Sequence, residues 1–301
     1  ENETLAPQLG PGAAPLEVVL VIDSRPARSM DLQFTWRLPC RDLGEFWACW
    51  WPAGEESLAV RKVPLKLFSS CMRRDDVERV ISLLQGAKHP GIAKHRFHFE
   101  DADSLYIGAE LPAGGSIAER LEEVGPLSLG EAARIFHELC EVLQFLHGGA
   151  AMGPEKVVHW NLNPETVWLD EAGHVKLRDL GWSSAVVHPF FSLKDYSGSA
   201  EYLGPETILG SFHSESLDAW QLGVLLYQLL AGSPPFRDVS EVAGSSRILK
   251  CDLRFPSEMD PDARDLIAGL CQKDPAARLA VAKAKTHRFV AVHAAQLQAS
   301  L

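Results

Sequence analysis

The sequence predicts an α+β chain in two lobes, with strands in front and helices behind. Three observations carry this. The first 110 residues hold short β-branched and aromatic runs separated by turn residues. After Pro112-Ala113-Gly114-Gly115 the apolar residues switch to helical spacing. Residues 217–230 are apolar almost all the way round, which places a helix at the centre of the second lobe.

Composition narrows the function classes. The chain has 301 residues, 29 basic and 40 acidic, for a net charge of −11, and 46% of it is hydrophobic. That balance excludes disorder as the main state and argues against nucleic acid or acidic membranes as partners. No apolar run approaches the ~18–20 residues of a membrane span. Six scattered cysteines without a C-x-x-C pair read as reduced thiols, which favours an intracellular location and argues against zinc. Secretion stays open, because the chain begins at Glu1 and Asn2-Glu3-Thr4 fits a glycosylation pattern.

The elements follow in order. Residues 1–15, rich in Pro and Gly, read as a loose leader, and 16–23 as a strand. Further strands are expected at 32–38, 45–51, 57–63 and 104–109, with a helix near 75–85. Trp47 and Trp51 share one strand face and Trp50 points away. His95 and His98, near Glu100 and Asp101, read as a strand-edge loop rather than metal ligands. Ser128 and Glu131 form a capping-box pattern ahead of an apolar helical run to Leu146. Helices near 261–272 and 282–297 complete the chain.

The chemistry-bearing segments lie behind these elements. His159-Trp160-Asn161-Leu162-Asn163-Pro164-Glu165 and Arg178-Asp179-Leu180-Gly181 resemble the catalytic loop and metal-binding segment of protein kinases. Gly204-Pro205-Glu206, Asp218-Ala219-Trp220-Gln221-Leu222-Gly223 and Lys273-Asp274-Pro275 through Arg278 continue in that family's order. The resemblance runs from about residue 33 to 290 and implies a bilobal protein-kinase-like fold of the Ser/Thr type. It divides the chain into an extension at 1–30 with one strand on the small lobe, a small lobe at 31–111 and a large lobe at 112–301.

The resemblance also assigns roles. Glu206 and Arg278 are expected as a buried ion pair, Asp218 as acceptor for the catalytic-loop backbone, and His159 as a structural member of that loop. A nucleotide would meet Gly44, Arg61, Glu110 and Leu111, with Asp179 as the metal ligand. Several positions depart from the family pattern. Asn161 stands for the base Asp, Asn163 for a Lys, Thr166 for a metal-binding Asn, Trp160 for an Arg and Arg61 for a Lys. Pro39 and Arg41 replace glycines that would approach phosphate, while Asp42 and Glu45 add repelling charge.

Such losses imply a catalytically inactive pseudokinase: not an enzyme, without ATP or magnesium beyond weak binding. The chain would act as a scaffold or allosteric regulator for a protein partner, such as an active kinase or its substrate. The alternative is an enzyme that uses Asp179 and a single metal, either with altered nucleotide chemistry or as a very slow Ser/Thr kinase. The activation segment, with Ser183, Ser184, Ser192, Ser197 and Ser199, is expected to hold by packing of Trp160 against Phe190 or Phe191.

Overall fold

Two short strands, β1 (Leu20–Ile22) and β2 (Arg25–Ala27), pair as an antiparallel hairpin. The computed structural model describes residues 20–22, 25–27, 32–38, 44–52, 54–69, 74–148, 156–180, 200–211 and 214–298. Contacts divide the chain into two units. One is Glu1–Arg73 with Lys94–Leu111, and the other is Arg74–Ala93 with Pro112–Leu301.

The first unit is a five-stranded antiparallel sheet of β3 (Gln33–Arg37), β4 (Glu45–Trp51), β5 (Glu56–Pro64), β6 (His95–Glu100) and β7 (Ser104–Glu110). Strand order is β3-β4-β5-β7-β6, and β1 lies against β6. Leu58, Val60, Phe97, Phe99 and Tyr106 fill one face. Phe99 stacks on both Phe97 and Tyr106, at 5.6 and 4.6 Å between ring centroids. Trp47 and Trp51 pack against this cluster while Trp50 is exposed, as alternation along a strand requires. Burial pushes the Cys49 thiol up to about 12.

His95 and His98 lie in a strand, not in a loop. Phe97 and Phe99 alternate inward, and a bulge between His95 and Phe97 brings the two imidazoles into a stack. Gly44 adopts φ +98, and a Cβ there would meet the Lys62 carbonyl oxygen at 2.3 Å. Sheet geometry alone therefore requires glycine at this position.

The second unit is mostly helical. It contains α1 (Arg74–Gly86), α2 (Ile117–Val124) and α3 (Leu129–His147), then the hairpin β8 (Val167–Leu169) and β9 (Val175–Leu177). After these come α4 (Pro205–Ile208), α5 (Glu215–Ala231), α6 (Glu241–Lys250), α7 (Pro261–Leu270), α8 (Val281–Ala284) and α9 (Arg288–Gln298). Helix α5 is buried from Leu217 through Tyr227 and packs on α3 and α7, which explains its lack of a polar face. It ends at Gly232, whose φ of +79 is the usual left-handed cap.

Ser128 caps α3 through the Glu131 N–H, but the Glu131 carboxylate bonds Arg120 instead of returning to the cap. The reciprocal capping box forms one helix earlier, between Ser116 and Glu119. Among the described residues, no helix is long and apolar enough to cross a membrane, and no group of three His, Cys, Asp or Glu could hold a metal ion.

Candidate functional site

Residues 159–166 form a loop whose backbone is bonded to the side chains of α5. Asp218, fully buried, accepts from the N–H of His159 at 2.9 Å and of Trp160 at 2.7 Å. His147 Nε2 donates to the same carboxylate at 2.8 Å. Gln221, three residues on, donates through Nε2 to the Trp160 carbonyl at 2.8 Å. Its Oε1 accepts the Leu162 N–H at 3.0 Å.

The His159 ring joins this loop to the segment after β9. Its Nε2 donates to the Arg178 carbonyl at 2.8 Å, and its Nδ1 accepts the Asn161 N–H at 3.3 Å. A carbonyl can only accept, so the ring proton sits on Nε2 and the lone pair on Nδ1. Trp160 and Asp179 both adopt left-handed backbone, at φ +62 and +63. Each non-glycine residue there costs about 1–3 kcal/mol, which the surrounding bonds hold in place.

Three of the substituted positions bond to one another. Asn163 Nδ2 donates to the Asn161 side-chain oxygen at 2.9 Å and to its backbone carbonyl at 3.0 Å. Thr166 Oγ1 donates to the Asn161 carbonyl at 2.9 Å and accepts the Asn163 N–H at 3.2 Å. An amide oxygen here can accept a hydrogen bond from a hydroxyl and orient it. It cannot take the proton at neutral pH.

Asp179 is half-buried and follows Arg178, whose guanidinium lies over the Trp168 ring at 4.4 Å. Arg178 is itself buried, and the stack covers one face of its cation. Leu180 is buried in the core of the unit. Residues 181–199 lie outside the described residues. They include the five serines and both phenylalanines expected to form the activation segment.

In the strand-rich unit, Arg61 is 2% exposed and lies over the Phe46 ring at 5.3 Å. Lys62, on the opposite face, lies over Tyr106. Glu110 ends β7 opposite Leu58, and Leu111 follows it, half-buried. Pro39, Cys40, Arg41, Asp42 and Leu43 lie outside the described residues.

Glu206 and Arg278 form a buried two-pronged pair at 2.7 and 2.6 Å. Arg278 also donates to the carbonyls of Ser216 and Gln272 and lies over the Trp220 ring. All three guanidinium nitrogens are therefore bonded, which is what burial of this charge demands.

Sequence reasoning assigned no role to Gln221 or His147. The available signal was an amide in an apolar helix, one turn after Asp218 and so on the same face. For His147, in the last turn of α3, no pattern in its own segment points to Asp218, 71 residues away.

With this geometry established, comparison places the chain among known proteins. The family described as "Protein kinase domain" matches residues 43–290. Aurora kinase of Candida glabrata is 34% identical over 215 residues, covering 71% of this chain and 58% of that relative. Aurora kinase B of Mus musculus is 34% identical over 229 residues, covering 74% and 64%. Aurora kinase B of Danio rerio is 33% identical over 243 residues, covering 79% and 73%. The chain thus spans less than two thirds of the length of the first two.

These similarities correct three expectations. A catalytically inactive scaffold, a protein that is not an enzyme, and a chain without ATP and magnesium all conflict with such identity to named kinases. The physical reason lies in the reaction. Phosphoryl transfer through a loose transition state depends mainly on positioning and charge neutralisation. Replacing a base by an amide therefore removes a factor of about 10²–10⁴, not the reaction itself.

Proposed function

The chain belongs to the protein kinase family, and from that premise we propose that it is a slow, ATP-dependent Ser/Thr protein kinase. The observation that carries this reading is the bonded frame of residues 159–166, held by Asp218 and tied through His159 to the segment bearing Asp179. In this reading Asn161 accepts the hydrogen bond of the substrate hydroxyl and orients its oxygen. The proton leaves to solvent or to the phosphoryl group during transfer, since no carboxylate replaces the base.

Asp179 is the residue that would hold magnesium. A single carboxylate fits that ion, which keeps several waters and takes its remaining oxygens from phosphates. When bound, magnesium supplies charge neutralisation at the phosphate oxygens. Arg61 keeps a positive charge at the position where the family carries Lys, though its fork cannot reproduce that contact. The partner is a protein bearing a Ser or Thr hydroxyl. Loss of the base alone should lower turnover about 10²–10⁴ below the ~1–100 s⁻¹ of ordinary kinases, and Asn163 and Thr166, standing where the family carries a Lys and a metal-binding Asn, should lower it further.

The test is transfer of label from γ-labelled ATP to a Ser/Thr peptide library by the purified chain with Mg²⁺. Label should appear slowly, vanish in Asp179→Asn and persist in Glu78→Gln, an exposed residue of α1. Absence of any transfer above a no-enzyme blank at long incubation would refute the reading.

A further inference from the structure

We propose that Gln221 is a positioning residue for phosphoryl transfer, whose single side-chain amide clamps the backbone on both sides of Asn161. The proposal rests on the phosphotransferase reading and adds a part to it. Gln221 lies in an apolar stretch of α5 and is 1% exposed. A buried amide is costly unless both ends are bonded. Here Nε2 donates to the Trp160 carbonyl and Oε1 accepts the Leu162 N–H.

These two bonds act on two successive peptide planes. The plane between Trp160 and Asn161 has its carbonyl on Gln221 and its N–H on His159 Nδ1. The plane between Asn161 and Leu162 has its carbonyl on Thr166 Oγ1 and Asn163 Nδ2, and its N–H on Gln221. With both planes held, the φ and ψ of Asn161 are set. The bond from Asn163 Nδ2 then sets the direction of the Asn161 side-chain oxygen. Asp218, one helical turn earlier, holds the N–H groups of His159 and Trp160. Two side chains on one face of α5 therefore fix four backbone groups in sequence.

The clamp matters more here than beside a carboxylate. An amide contributes only orientation, so an error in its placement is not offset by proton removal. A misplacement of about 1 Å can cost ~10²-fold.

The test replaces Gln221 by an apolar residue of similar length, Gln221→Met. Turnover should fall about 10–100-fold while KM for ATP stays within about two-fold, the pattern of an interaction used in the transition state. Val224→Ala, buried on the same helix without a hydrogen bond to the loop, is the control for stability loss and should keep wild-type turnover at a temperature well below its Tm. Hydrogen exchange reads the clamp without turnover: the Leu162 amide should exchange about ten-fold faster in Gln221→Met, with the α5 amides still protected.

Wild-type kcat in Gln221→Met, an equal kcat loss in Val224→Ala, or unchanged exchange at Leu162 each overturns the proposal. Failure of the wild-type chain to transfer phosphate overturns the phosphotransferase reading and the catalytic half of this one. The exchange result still decides the clamp by itself.

Discussion

The side-chain amide of Asn163 donates to the side-chain oxygen of Asn161 over 2.9 Å. One amide thus aims the other, at the position where the family carries a proton acceptor. Both are buried, and Thr166 closes the group from the far side of the loop. The arrangement is a built polar network rather than a set of independent substitutions, since each member satisfies another.

Asn161→Asp should therefore raise turnover. The Asn163 amide already points at the oxygen that would become a carboxylate, and it would donate to the new charge. A gain of at least about ten-fold in kcat is expected, out of the ~10²–10⁴ that a general base supplies. Steady-state transfer to a Ser/Thr peptide measures it, and an unchanged kcat would show that proton removal is not the missing part.

Asp179→Asn should abolish the extra thermal stabilisation that Mg²⁺ gives to the ATP complex. Ligand at 100 times its Kd stabilises a folded protein by ~2.7 kcal/mol. A thermal-shift titration with ATP, with and without Mg²⁺, reads the difference. Equal Mg²⁺ dependence in the variant would move the metal ligand elsewhere.

Arg278→Ala should destabilise the helical unit by about 3–5 kcal/mol, because it leaves the buried Glu206 carboxylate without its partner. Glu206→Gln with Arg278→Met should lose less than the two single changes combined, since no uncompensated charge remains. Urea unfolding of Arg278→Ala, Glu206→Gln, Arg278→Met and the double variant gives the comparison. Strict additivity would mean that the pair is not coupled.

Asp101 gives the strand-rich unit a pH dependence. Burial works against its ionisation, but bonds from the N–H groups of Asp103 and Ser104 and from the Tyr106 hydroxyl outweigh it and hold its carboxyl below the usual range. A depressed folded value means stability present above the unfolded pKa of about 4 and lost as pH falls through the folded one. Asp101→Asn should be less stable than the parent at pH 7, and the gap should close below about pH 4. A gap that stays constant from pH 7 to 3 would show that the carboxylate charge contributes nothing.

The sequence by itself determined what each segment repeats locally. The 3.6-residue spacing marked α3, the apolar run marked α5, and the order of short motifs from His159 to Arg278 marked the kinase-like fold. It named Glu206 and Arg278, 72 residues apart, because each stands in a motif of its own.

What it left undecided was which groups meet across the chain. Strand β6 looked like a loop because its inward Phe97 and Phe99 make sense only once the sheet supplies the cluster they fill. Ser128 lacks the reciprocal bond because Arg120, one turn into α2, holds the Glu131 carboxylate, while Ser116 forms a full capping box with Glu119. Gln221 looked like one polar residue in an apolar helix until packing brought the loop at Trp160 and Leu162 against it. In each case the local pattern is a property of bonds within one segment. The partner is chosen by long-range packing, which decides where a buried donor, acceptor or charge can be satisfied.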